Sequence, residues 1–303
     1  MNFTAKDVQS LREKTGCGIM DCKRALVESD GDFDKAIDYL REKGLASQQK
    51  KTSRIAAEGT VVSAAFGNVG VVVEVNTETD FVAGNAEFKD FAAAIAKVIA
   101  DTNPADVEAL MACKNAEGKT VEEMVQDIFL KFRENIKIRR FIRMEGAVAT
   151  YIHAGGKIGV MVKFDTDVAD KDGFAEMGKN VAMQIAAMNP LFLNPESVPA
   201  DVLAKEKDIM VAQMKEDPKM TGKPDAVLAK IVEGKIGKYY KENCLLEQQY
   251  VIDGDFTVGK YVASVAKELG GSIAVTEFVR FEKGEGIEKR EDNFADEVAS
   301  MMK

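Results

Sequence analysis

A duplication limits what this chain of 303 residues can fold into more than any other feature. EGTVVSAAFGNVGVVVEVN (Glu58 to Asn76) and EGAVATYIHAGGKIGVMVKFD (Glu145 to Asp165) each read as two β-branched strands around a Gly-rich turn. Each is followed by a helical pattern that ends in Asn-Pro. These are FKDFAAAIAKVIADTNP (Phe88 to Pro104) and FAEMGKNVAMQIAAMNP (Phe174 to Pro190). Two copies of a strand–strand–helix unit predict an α+β core of duplicated halves, with helices covering one face of each sheet.

The copies differ between the second strand and the helix. Thr77 to Glu87 holds eleven residues, Thr166 to Gly173 holds eight, and the excess falls in TETDFV. That segment places Phe81 directly after Asp80 in a mostly polar stretch. A scaffold connection needs only length, so a longer, aromatic-tipped loop in one copy points to recognition. The other reading is a staple, with Phe81 folded back against the following helix.

The duplicated core is flanked and interrupted by helical segments. Residues 1–45 read as three short helices. Thr4-x-x-Asp7 caps the first, Thr15-Gly16-Cys17-Gly18 breaks it, and Asp32 caps the third, which is expected to end at Gly44. Residues 46–56, with SQQKKTSR at their centre, have linker composition. Residues 57–144 then form the first half of the core, and 145–199 with 243–281 form the second. Within the first half, Thr120 to Arg133 has helical periodicity. Arg133, Lys137, Arg139, Arg140 and Arg143 follow as a basic cluster without interleaved aromatic rings, which favours a solvated or internally paired face over an RNA contact. Residues 200–242 read as two helices joined by the turn-rich KEDPKMTGKP, an antiparallel helical hairpin inserted between core elements. TVGKYVASVAKELGG (Thr257 to Gly271) predicts a capped helix, and SIAVTEFVRF (Ser272 to Phe281) a strand. Residues 282–303 form a C-terminal module with a short amphipathic helix over Asn293 to Met302.

Composition narrows the functional class. A net charge of −9 argues against a protein that coats nucleic acid, because non-specific affinity there comes from Lys and Arg on phosphates. No signal peptide or membrane span is visible, which predicts a cytoplasmic protein. Cys17, Cys22, Cys113 and Cys244 have no metal-ligand spacing and read as buried or idle thiols. The one histidine, His153, sits in a Gly-rich turn with no acid or nucleophile beside it, so a surface contact is preferred to a catalytic base. AEGKT lacks the first glycine of a phosphate-binding loop, because Cys113 stands there. Gly16-x-Gly18 lacks the third glycine of a dinucleotide fingerprint. No catalytic residue, metal or cofactor is expected, and binding is the favoured class.

Several segments in order resemble one family. They are LREKTGCGIMDCKRAL (Leu11 to Leu26), EVNTETDFV (Glu74 to Val82), ENIKIRR (Glu134 to Arg140), GKP with KIVEGK (Gly222 to Lys235) and LLEQQYVID (Leu245 to Asp253). The chain resembles bacterial elongation factor Ts over essentially its whole length. The resemblance implies a non-enzymatic guanine-nucleotide exchange factor for elongation factor Tu, the GTPase that delivers aminoacyl-tRNA. It implies a ubiquitin-associated-like fold for the opening helices, docking on that GTPase. It also implies that Thr79, Asp80, Phe81 and Val82 insert an aromatic wedge that disturbs the partner's magnesium site. Arg12, Met20 and His153 are implied as further contacts. The family usually has Ile-Gly before Glu-Asn-Ile, where this chain has Phe132-Arg133. An adaptor using the three-helix unit and the hairpin, which would bind without changing GDP lifetime, is the alternative; a hydrolase working through His153 would be a third.

Overall fold

The structure is a computed structural model that describes residues 2–216 and 224–288. The turn expected within Lys215 to Pro224 falls mostly on residues outside that range, and the tail helix expected over Asn293 to Met302 lies wholly outside it.

Three helices open the chain: α1 (Ala5–Thr15), α2 (Ile19–Glu28) and α3 (Phe33–Lys51). Thr4 and Asp7 form a reciprocal capping box, and Asp32 accepts from the amides of Asp34 and Lys35, as the sequence led us to expect. Leu11, Cys22, Leu26, Ala36 and Leu40 make their shared core. The end expected at Gly44 is corrected. α3 continues to Lys51, so half of the expected linker is helical. Gly44 serves a close approach to α7 (Val121–Phe132), where an added Cβ would stand 2.3 Å from Cδ2 of buried Leu130. Leu130 in turn completes the core of the three-helix unit.

The duplication is visible in the strands. β1 (Glu58–Phe66), β2 (Val69–Thr77) and β3 (Lys137–Glu145) form one antiparallel sheet. The second contains β4 (Ala147–His153), β5 (Ile158–Thr166) and β6 (Ile273–Glu282) in the matching order. Even the register irregularity recurs, at Glu74/Val75 in β2 and Lys163/Phe164 in β5.

Strand alternation decides which side chains meet. Val71, Val73 and Val75 face α5 (Ala86–Thr102) and α7, and with Phe88, Ile95 and Ile99 they form the first core. Val160, Val162 and Phe164 face α8 (Phe174–Met188) and α11 (Val258–Leu269) in the second. The opposite faces pack on each other through Val61, Val72, Met144, Met161 and Phe281. The order of layers is therefore helix, sheet, sheet, helix, an α+β arrangement.

The first half also holds α4 (Asp80–Gly84), between β2 and α5, and the short α6 (Val107–Ala112), between α5 and α7. α9 (Ala200–Glu216) and α10 (Asp225–Asn243) pack on each other through Met214, Val232 and Ile236. Among the described residues no helix is long and apolar enough to cross a membrane.

Candidate functional site

β2 ends at Thr77, opposite Glu58, and the chain then turns through Glu78 and Thr79. Thr79 caps the next turn by accepting from the Val82 amide at 3.4 Å. Asp80–Gly84 is consequently a short helix rather than the loop expected from the sequence. Five residues per helix leave no room for a periodic apolar stripe, but they do set neighbours on opposite sides. Val82 and Ala83 are buried, Val82 within the first core, while Asp80 is exposed and Phe81 is 88% exposed. The staple reading is excluded, because Phe81 packs on nothing that hides it. An exposed phenyl ring on an anchored turn has the shape of a binding group.

The turn is held from a distance by residues that sequence reasoning had not assigned to the site. Glu134 Oε2 accepts from the Thr77 hydroxyl at 2.7 Å, the Glu78 amide at 3.1 Å and the Thr79 amide at 3.0 Å. Its Oε1 accepts from the Thr79 hydroxyl at 2.6 Å. Glu78 accepts from the Asn135 amide at 2.7 Å and pairs with Arg54 at 3.2 Å. The Asn135 side chain donates to the Arg54 carbonyl at 2.7 Å. The available signal was an acid and an amide, Glu134-Asn135, directly after a helix end.

Arg133 ends α7 in the left-handed region, φ 57°, and its amide donates to the Phe129 carbonyl at 2.8 Å. This is the position where the resemblance led us to expect glycine, the residue without a steric penalty there. The arginine instead extends to Asp21 of α2 at 2.9 Å, and Lys51 Nζ donates to its carbonyl. Asp21 is the neighbour of Met20, which is 64% exposed beside Ile19 at 51%. Arg12 is exposed on α1. Three short links, Met20–Asp21, Arg133–Glu134 and Thr79–Phe81, thus connect the opening helices to the α4 turn.

His153 ends β4 and is exposed, with Nδ1 3.2 Å from the Tyr151 hydroxyl. The turn after it presses on β1, where the Val61 amide donates to the Gly156 carbonyl at 2.8 Å. β1 is also the strand that packs under α4, so His153 and Phe81 are organised around the same strand. Among the described residues no carboxylate, serine, threonine or cysteine hydrogen-bonds the imidazole.

The basic cluster is largely paired within the protein. Arg139 and Arg140 reach buried Glu74 at 3.1 and 2.6 Å, and Arg143 reaches Glu145 at 2.6 Å. Burial by itself would raise the Glu74 carboxyl, but bonds from the Gly284 amide, Asn76 and Arg140 outweigh it and hold the pKa below the ordinary glutamate value. Cys17, Cys22 and Cys244 are buried, and burial pushes the Cys244 thiol up to about 11. Among the described residues no cluster of three or more His, Cys, Asp or Glu could hold a metal ion.

The family described as Elongation factor TS matches residues 78–285, which span the α4 turn, Glu134, strands β3 to β6 and the hairpin. The chain belongs to the elongation factor Ts family. It is 50% identical over 307 residues to elongation factor Ts of Syntrophotalea carbinolica, covering 100% of both chains. It is 49% identical over 304 residues to that of Clostridium perfringens, covering 99% of each. Identity to the Magnetococcus marinus elongation factor Ts is 46% over 306 residues, covering 100% of this chain and 99% of the relative. Full-length coverage includes the three opening helices, which lie outside the segment matched by the family.

Proposed function

We propose that the chain is a cytoplasmic guanine-nucleotide exchange factor for elongation factor Tu in translation elongation, and that Phe81 enters the GTPase and disturbs its magnesium and nucleotide site. The observation that carries this reading is Phe81, 88% exposed on a helical turn whose next two residues, Val82 and Ala83, are buried. A rigid apolar group presented to solvent binds well only where a pocket receives it. In a GTPase the magnesium bridges nucleotide phosphates and protein side chains, so displacing either partner of that bridge loosens GDP. The factor binds the nucleotide-free GTPase more tightly than the GDP form. By linkage the same coupling energy lowers GDP affinity when the factor is bound. No covalent bond changes, so the role is binding rather than catalysis.

Other parts take supporting roles in this proposal. The opening helices, ubiquitin-associated-like in arrangement, add affinity through Arg12 and Met20, and His153 contributes a contact from the second half. Division into units at residues 1–45, 57–144, 145–199 with 243–281, and 200–242 is supported by apolar clusters that lie within each of the last three, while that of the opening helices also takes in Leu130 of α7.

Release of fluorescent GDP from the cognate elongation factor Tu, with and without this protein, tests the proposal. Acceleration by the wild type is expected. Phe81→Ala changes stability by no more than about 0.5 kcal/mol, as for other surface changes. The same change weakens binding to the nucleotide-free GTPase by roughly 30- to 1,000-fold, the range of a buried aromatic hot spot. Binding without any change in GDP lifetime would identify an adaptor instead.

A further inference from the structure

We propose that Glu134 is a positioning residue for exchange: its carboxylate sets the α4 turn so that Phe81 is presented in one orientation. The inference rests on the exchange-factor reading and adds a residue that does not itself belong to the TDFV segment.

The geometry is specific. One carboxylate takes four donors from three consecutive residues, the Thr77 hydroxyl, the Glu78 and Thr79 amides, and the Thr79 hydroxyl, at 2.6 to 3.1 Å. Hydrogen bonds to an ionised acceptor are about twice as strong as neutral ones, and each also fixes a direction. The Thr79 hydroxyl has a single proton, and donating it to Glu134 turns its lone pairs toward the Val82 amide. Glu134 therefore orients the cap that starts α4, and Phe81 is the second residue of that helix. Glu134 is itself fixed, because Arg133 before it pairs with Asp21 and the Asn135 amide after it donates to Glu78.

Glutamine is nearly the same shape but has one acceptor oxygen. If that oxygen faces the Glu78 and Thr79 amides, its NH2 meets the Thr79 hydroxyl, which must then turn its proton elsewhere. If the amide flips, NH2 opposes three donors instead. Either way the cap loses its alignment.

The test is a double-mutant cycle with full-length protein, read as fluorescent-GDP release from elongation factor Tu over a range of factor concentrations, with thermal melts of each variant. Glu134→Gln is expected to lower the maximal release rate about tenfold, the loss of a charge-assisted hydrogen bond. The half-saturating concentration should shift less, because the opening helices still dock. In a Phe81→Ala background the same substitution should change the rate less than about twofold, since it acts only through Phe81. Thr79→Val removes the donor from the other side; it should reproduce the loss, and it carries the cycle should Glu134→Gln melt below the assay temperature. A maximal rate within about twofold of wild type for a folded Glu134→Gln, or a tenfold loss that persists without Phe81, would overturn the positioning role. If Phe81→Ala alone leaves release unchanged, the wedge reading fails instead, so the two failures are distinguishable.

Discussion

Glu74→Gln should be among the most damaging single substitutions in the core, although it removes no volume. Glu74 lies in the middle of β2 with its side chain fully buried, on the face that meets the other sheet. Its Oε1 accepts from the Gly284 amide at 2.8 Å, Asn76 at 3.1 Å and Arg139 at 3.1 Å, and its Oε2 accepts from Arg140 at 2.6 Å. Gly284 follows β6, so this carboxylate ties the first half of the core to the second. Arg140 extends the tie by donating to the Glu282 carbonyl at 3.2 Å. Glutamine keeps one acceptor and points two N–H groups at donors. Breaking a buried ion pair from one side costs about 3–5 kcal/mol. Arg139 and Arg140 are 28% and 31% exposed and regain some water, which reduces the expected loss to roughly 2–4 kcal/mol. Urea denaturation at pH 7 measures it. The pH dependence has a definite sign. Because the folded pKa is depressed, the contribution is fully present above the unfolded value near 4.5 and is lost as pH falls through the folded value. The gap between wild type and Glu74→Gln should therefore be flat from pH 7 to about 5 and narrow in more acidic solution. A loss below about 1 kcal/mol at neutral pH would show that the carboxylate does not clamp the halves.

Two further outcomes follow from the packing of the helices. Gly44→Ala would gain about 1 kcal/mol in an open helix, but a Cβ 2.3 Å from Leu130 Cδ2 overpacks a buried contact at about 1–3 kcal/mol, so a net loss near 1 kcal/mol in urea denaturation is expected. Increased stability would mean that α3 does not approach α7 this closely. Replacing residues 200–242 with a short Gly-Ser link should leave a cooperative thermal transition, because the hairpin packs largely on itself. A molten product would show that it belongs to the core.

The parts that could be read from the sequence were those written in local patterns. β-Branched runs around a Gly-rich turn announce β1 and β2, and Thr4, Asp32 and Thr257 announce helix starts through bonds to residues two or three positions away. β3 was hidden because its arginines break the apolar alternation. What makes those arginines compatible with a strand is Glu74, directly opposite Arg140 on β2. Gly44 resembles a helix end because the reason for a glycine there, Leu130, lies far along the chain. The site divides in the same way. Phe81 stood out as an apolar residue among polar ones, whereas Glu134 is identified only when residues 55 to 57 positions apart are brought together.

The duplicated halves also explain how an exposed aromatic turn could be added without disturbing the scaffold. In both, the crossover after the second strand is tied to the residues just before the third strand. In the second half the tie starts from the crossover: Asp167 accepts from the Ser272 amide at 2.7 Å, one residue before β6. In the first half the direction is reversed, and Glu134, ahead of β3, accepts from Thr77, Glu78 and Thr79. The corner is pinned either way, so three extra residues placed beyond the pin give room for the five-residue α4 without loosening the sheet. In the second half, Val168 at the equivalent corner is buried at 2% exposure; in the first, Phe81 is turned outward. A phenyl ring held on a pinned turn loses little conformational freedom when a partner covers it, which leaves more of its burial energy for the interaction. In the proposed exchange role, that surplus favours the nucleotide-free state only to the extent that the receiving pocket differs between it and the GDP-bound state.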